Sequence, residues 1–144
     1  MTTPGSTDTG FVVAVGDTLP PFTRTTGLDN WNRYAAVNNE FVGIHMDDDA
    51  GRAAGFDSAF GMGNLLWSYL HCLLRDWVGE HGRIDRLQCQ FRSPNTKGMT
   101  ITAHGTVTAV DRTPQGTRVD LDVWIEDQNG TKLTPGTATV TFAP

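Results

Sequence analysis

The sequence predicts an α+β domain in which an antiparallel sheet wraps a long central helix. Two observations carry the expectation. Positions 62 to 74, within "FGMGNLLWSYLHCLLRDWVGE", hold no formal charge and are apolar nearly all the way round; a helix without a polar face has to be enclosed on several sides. It is too short to cross a bilayer. Downstream, segments near 83–92, 99–111, 117–127 and 131–142 alternate in character, as in "TITAHGTVTAV", "TRVDLDVWIED" and "GTATVTF", the period of a half-buried strand.

The elements follow in chain order. The first ten residues, MTTPGSTDTG, are polar and have neither a basic nor an apolar block, so residues 1–10 read as a loose tail, not a signal peptide, and residues 11–144 as one domain. The apolar run Phe11 to Val15, the loop Gly16-Asp17 and the Pro20-Pro21 pair suit a short strand or extended entry segment. Thr26 is a candidate N-cap with Asp29 three residues on. Leu28, Trp31, Tyr34 and Ala35 then recur at helical spacing, and the helix should fade near Val37, where Asn38 and Asn39 favour a turn.

The stretch "NNEFVGIHMDDDAGRAAGF", residues 38–56, is polar and then rich in small residues. Asp47 is expected to cap a turn over Asp48 to Ala54, where an acidic run favours the helix dipole. After the central helix the strands form a four-stranded antiparallel meander, turning at Thr113-Pro114-Gln115-Gly116 and at Asn129-Gly130; the latter pair tolerates the positive φ of a type I′ hairpin.

Composition limits the function. A net charge of −5, with eleven Lys and Arg residues spread along 144, gives no electrostatic reason to bind nucleic acid. No span suits a membrane, and a cytoplasmic location is expected. Cys72 and Cys89 are too few for a disulfide scaffold, and no His/Cys cluster has metal-ligand spacing.

The loop over 38–56 carries Glu40 and, five residues on, His45. The pair suits acid–base chemistry, or merely makes the loop polar. Ser58 and Asn64 either touch a substrate or finish a turn or cap. Trp67 and Tyr69 pack in the core or line a tunnel. His71 reads as a core or interface histidine, and His81 and His104 as surface residues. Arg83, Arg86, Arg92 and Lys97 meet phosphates or are solvated charge.

Over "YAAVNNEFVGIHMDDDAGRAAGFDSAFGMGNLLWSYLHCLLRDWVG" and "FRSPNTKGMTITAHGTV" the chain resembles the MaoC-like (R)-specific enoyl-CoA hydratases and dehydratases, which have the hot-dog fold. Members read Tyr-Ala-x-x-x-Gly-Asp-x-Asn-Pro-Ile-His, then Ala-His-Gly-Met at the head of the central helix. In register, the family aspartate falls on Glu40, the histidine on His45, and Ala-His-Gly-Met on Gly61, Met62, Gly63 and Asn64. Val42 and Gly43 stand where members have Asn and Pro, and Met62 replaces a histidine. The combination looks similar to the small subunits of actinobacterial heteromeric hydratases that act on bulky acyl-CoA.

The resemblance implies hydration or dehydration of a 2,3-enoyl or 3-hydroxyacyl thioester, with Glu40 and His45 dividing the proton transfers. Backbone N–H groups at Gly61 and Gly63 would hold the oxyanion, with Ser58 and Asn64 as candidate substrate contacts beside them. It implies no cofactor beyond the coenzyme A or acyl-carrier thioester. The implied assembly is a homodimer, or a heterodimer with another MaoC-like subunit. A non-catalytic partner subunit and an acyl-thioester hydrolase remain alternatives.

Overall fold

The computed structural model describes residues 12–144, so the expected tail over 1–10 lies outside the described residues. The buried halves of the alternating strands and of the central helix meet in one core. Leu66, Leu70, Leu73, Leu74 and Val78 pack against Ile101, Ala103, Val107, Val119, Leu121, Val123, Ile125 and Val140. The helix is α3 (Gly63–Val78); the strands are β1 (Phe22–Thr25), β2 (Gly82–Cys89), β3 (Thr100–Thr113), β4 (Gly116–Glu126) and β5 (Lys132–Phe142). This is the expected hot-dog arrangement, an α+β fold with the sheet curled round one helix.

The order across the sheet is β1-β3-β4-β5-β2, every neighbouring pair antiparallel. The expected four-stranded meander therefore holds only for β3, β4 and β5. The first strand after the helix crosses to the far edge beside β5, and the order is closed on the other side by β1. Periodicity sets which face of a strand is buried, not which neighbour it takes. Of the two readings of the entry segment, the extended one holds: residues 12–14 are not strand, and β1 begins after Pro20-Pro21, where main-chain donors are available again. Residues 16–19 still run along β3, with Gly16 N–H donating to Val107 O and Leu19 N–H to Gly105 O, both at 2.9 Å.

Of the two expected turns one agrees and one differs, and the α1 N-cap shifts by one residue while its C-terminal stop agrees. Thr113 and Gly116 pair across the Pro114-Gln115 turn. The β4–β5 connection is a longer loop: Asp127 Oδ1 accepts from both Asn129 N–H and Thr131 N–H, and only Gly130, not Asn129, has positive φ. An aspartate able to take two main-chain donors outcompetes a two-residue hairpin. At the start of α1 (Leu28–Asn38) the N-cap is Gly27, whose N–H donates to Asn30 Oδ1 at 2.9 Å; Thr26 instead donates through Oγ1 to Thr96 O at 2.7 Å. Asn39, at φ 52°, closes the helix in the left-handed region as the Asn pair predicts.

The α3 surface is not enclosed all round. Trp67 is 38 % exposed, and Asn64 and Arg75 lie on the same open stripe. Tyr69 is half-buried against Phe22 and bonded to Asn30, so it belongs to the core boundary.

Candidate active site

The site is assembled from three chain segments that the sequence separates. After α1 the chain makes a short 3-10 turn, Gly43–His45, and enters α2 (Asp48–Ala53), capped by the Asp47 carboxylate accepting from Asp49 N–H at 3.1 Å. Asp48 Oδ1 accepts from Ala59 N–H at 3.1 Å and from Lys97 Nζ at 2.5 Å. These bonds, the Lys97 side chain first, hold the Asp48 carboxyl below its ordinary value. The acidic run is thus partly a clamp between α2 and the loop before β3.

The segment before α3 passes close to His45. Phe60 N–H donates to Ile44 O at 3.1 Å, and Phe60 O lies 2.7 Å from His45 Nδ1. A carbonyl can only accept, so Nδ1 carries the proton and the neutral ring keeps its lone pair on Nε2. The imidazole is 8 % exposed and its edge meets Phe60 at 5.5 Å between ring centres. A ring gripped through one nitrogen, with the other unprotonated, is suited to accept a proton.

His45 lines a cleft of about 230 Å³ together with Phe60, Gly61, Gly63, Leu66 and the segment Phe91 to Asn95. Its wall is mainly apolar, with Phe91 lying over Gly63: a Cβ on that glycine would come within 2.9 Å of the ring. The first N–H groups of α3 have no acceptor in the preceding turn of the same helix, so its start offers main-chain donors and the positive end of the dipole.

Of the residues singled out from sequence, His45, Gly61 and Gly63 come together here. The expectation that both glycine amides are free for an oxyanion fails for Gly61, because its N–H donates to Asn95 O at 2.8 Å. Its lack of a side chain serves packing instead: a Cβ would sit 1.9 Å from Asn95 Oδ1. Only the Gly63 end remains as backbone donor. Glu40 is half-buried just beyond α1, its N–H donating to Ala35 O at 2.9 Å, and it lies outside the cleft lining. Its carboxylate has no hydrogen bond or ion pair with any described residue. Ser58 donates to Ala59 O and Asn64 is exposed, its carbonyl accepting from Ser68 Oγ; neither lines the cleft.

Several residues carry the site without any signal in the sequence. Asn95 is wholly buried at the cleft floor, and Phe60 supplies the carbonyl that orients His45. The two segments are joined by Gly61 N–H donating to Asn95 O at 2.8 Å, which sets Phe60 opposite Thr96 in antiparallel fashion. The other histidines also find places. His71 is half-buried against Trp67, and burial, then Arg75, lowers its basicity. His104, expected to lack partners, sits 3.0 Å from Glu126 and stacks on Trp124 directly across the sheet, a pairing set by strand register. Among the possible phosphate ligands, Lys97 is committed to Asp48 and Arg83 to Asp85, whereas Arg92 borders the cleft.

No helix among the described residues is long and apolar enough to cross a membrane. No family model and no curated protein matches the sequence of this chain. Solved structures do resemble it. An (R)-hydratase from A. caviae involved in PHA biosynthesis superposes with a TM-score of 0.80 at 24% identity, over 90% of this chain and 97% of that one. A chain of the ChsH1-ChsH2 complex from Mycobacterium tuberculosis gives 0.81 at 21%, over 91% and 99%. A MaoC-like dehydratase from Rhodospirillum rubrum gives 0.77 at 20%, over 92% and 94%. At these identities the likeness establishes the shared fold.

Proposed function

We propose that this chain hydrates a 2,3-enoyl thioester, or dehydrates the corresponding 3-hydroxyacyl thioester. The observation that carries the reading is the convergence of an Nδ1-anchored His45 and the open N-terminal end of α3 on one mainly apolar cleft. Similarity of fold to an (R)-hydratase and a MaoC-like dehydratase supports the same chemistry.

In the hydration direction His45 Nε2 takes a proton from water as its oxygen bonds to C3 of the enoyl group. The C2–C3 π electrons move toward the thioester, and charge gathers on its carbonyl oxygen. Main-chain N–H groups at Gly63 and the α3 dipole stabilise that charge. C2 then receives a proton from the His45–Glu40 pair, which returns the one taken from water, closing the balance of one water added across one double bond. Glu40, in register with the family's acidic residue, is assigned a share of this proton traffic, and its carboxylate engages no described residue. Hydrogen bonds of a catalytic pair are often formed only in the substrate complex. The thioester is carried by coenzyme A or an acyl carrier protein, with no further cofactor; Arg92, which borders the cleft, is a candidate partner for a phosphate of the carrier.

The open stripe of α3 and the outer edge of β2, unpaired among the described residues, call for a second subunit, either another copy or a MaoC-like relative. A second reading, a non-catalytic partner within a heteromer, is favoured by the position of Glu40 outside the cleft lining and by the likeness to a chain of a two-component complex. Turnover of enoyl-CoA substrates of graded bulk separates the two. Loss of absorbance at the enoyl thioester band, abolished by His45→Ala, is the expected result. No turnover by the chain alone or with a MaoC-like partner refutes the enzymatic reading, and release of free thiol marks a hydrolase.

A further inference from the structure

We propose that Asn95, clamped by Trp31, is a positioning residue that holds His45 in its Nδ1–H form; its part in catalysis rests on the hydration reading above.

The argument follows one chain of contacts. Trp31 and Asn95 are both 0 % exposed, and Trp31 Nε1–H donates to Asn95 Oδ1 at 2.7 Å. An indole nitrogen can only donate, so the orientation of the carboxamide is settled. Asn95 O accepts from Gly61 N–H at 2.8 Å, and the side-chain amide lies against Gly61 so closely that no Cβ fits between them. The neighbouring residue Phe60 faces the other way: its N–H donates to Ile44 O and its carbonyl accepts from His45 Nδ1. Four segments are thus stacked in order, α1 through Trp31, the loop at Asn95, the strand-like pair Phe60-Gly61, and the turn bearing His45. Thr26 Oγ1, donating to Thr96 O at 2.7 Å, ties the second of these back to the start of α1.

What this stack accomplishes is chemical. An unconstrained imidazole distributes its proton over both nitrogens and favours Nε2, which would block the cleft-facing base. The Phe60 carbonyl reverses that preference only while its position is fixed. The Asn95 amide itself is a poor choice for stability alone: its Nδ2 is buried without an acceptor among the described residues, and an apolar pair filling the same space can be as stable. The pair supplies a fixed geometry.

The test measures the tautomer directly, by long-range 1H–15N correlation of the His45 ring in the full-length protein without substrate, beside pH–rate profiles with an enoyl-CoA. Asn95→Leu leaves the Trp31 donor orphaned; the double variant Trp31→Phe/Asn95→Leu removes both partners and restores folding if the single variant loses it. Wild type is expected to show Nδ1–H. Both variants are expected to show a substantial Nε2–H population and kcat/KM lower by about 10- to 100-fold, the penalty of a displaced catalytic group, with an altered pH profile. Retention of the wild-type tautomer in both variants overturns the proposal, as does a double variant that regains tautomer and rate together with stability. A tautomer shift in a protein that turns over no enoyl thioester refutes the hydration reading while leaving the positioning of His45 by Asn95 intact.

Discussion

Gly61→Ala tests the packing that underlies the whole site. A methyl there would lie 1.9 Å from Asn95 Oδ1, 2.4 Å from its Cγ and 2.4 Å from Trp31 Nε1. Both neighbours are 0 % exposed, so neither can swing into solvent. Overpacking of this kind costs about 1–3 kcal/mol. Separating Asn95 from Trp31 leaves a buried N–H without an acceptor, about 1–3 kcal/mol more. The total, about 2–6 kcal/mol, is a large share of the ~5–15 kcal/mol that stabilises an ordinary domain. For a domain of this length it corresponds to a fall in Tm of about 6–20 °C. Thermal unfolding followed by circular dichroism measures it, with Gly55→Ala as the comparison. Gly55 has φ 96° but open space around it, so only backbone strain of about 1–2 kcal/mol is expected there. A Gly61→Ala protein melting within about 2 °C of wild type would refute the close-packed account of the Trp31–Asn95–Gly61 contact.

Further outcomes follow from the site. His45→Gln is expected to fold normally and lose about 10²- to 10⁴-fold in kcat for enoyl thioester hydration, the usual contribution of a proton-transfer group; a loss under threefold, read by initial rates, would remove His45 from the mechanism. Glu40→Gln is expected to lower kcat by a similar factor with little change in Tm, since its carboxylate engages no described residue; unchanged kcat would assign the proton traffic to His45 alone. Lys97→Met removes the partner that holds the Asp48 carboxyl below its ordinary value. A carboxyl lowered in the folded state stabilises above its unfolded value and loses that contribution as pH falls through the folded one. The Tm gap between wild type and Lys97→Met is therefore expected at pH 7 and should close as pH falls through and below the ordinary carboxylate range; a gap that stays constant into stronger acid contradicts the assignment.

Much of this molecule is legible from patterns local to the chain. The uncharged apolar run that becomes α3, the alternation along β3 to β5, the Asp47 cap, the Asn39 helix stop and the Pro114-Gln115 turn each depend on a few consecutive residues and their intrinsic preferences. The resemblance that selected His45 and Gly63 is also a matter of short-range spacing. Other features depend on residues brought together only by folding. The crossing of β2 to the far edge beside β5 is one, and the pairing of His104 with Trp124 is another.

By itself, then, the sequence determined the central helix, the alternating strands that follow it, and which loop carries the imidazole. Tertiary structure alone decided that the Gly61 amide is consumed by Asn95 while the start of α3 stays open, that Glu40 lies outside the cleft lining, and that Phe60 chooses the tautomer of His45. The physical reason is that a main-chain donor or acceptor looks the same at every position in a sequence. Its availability for chemistry is set by whichever distant segment folds against it.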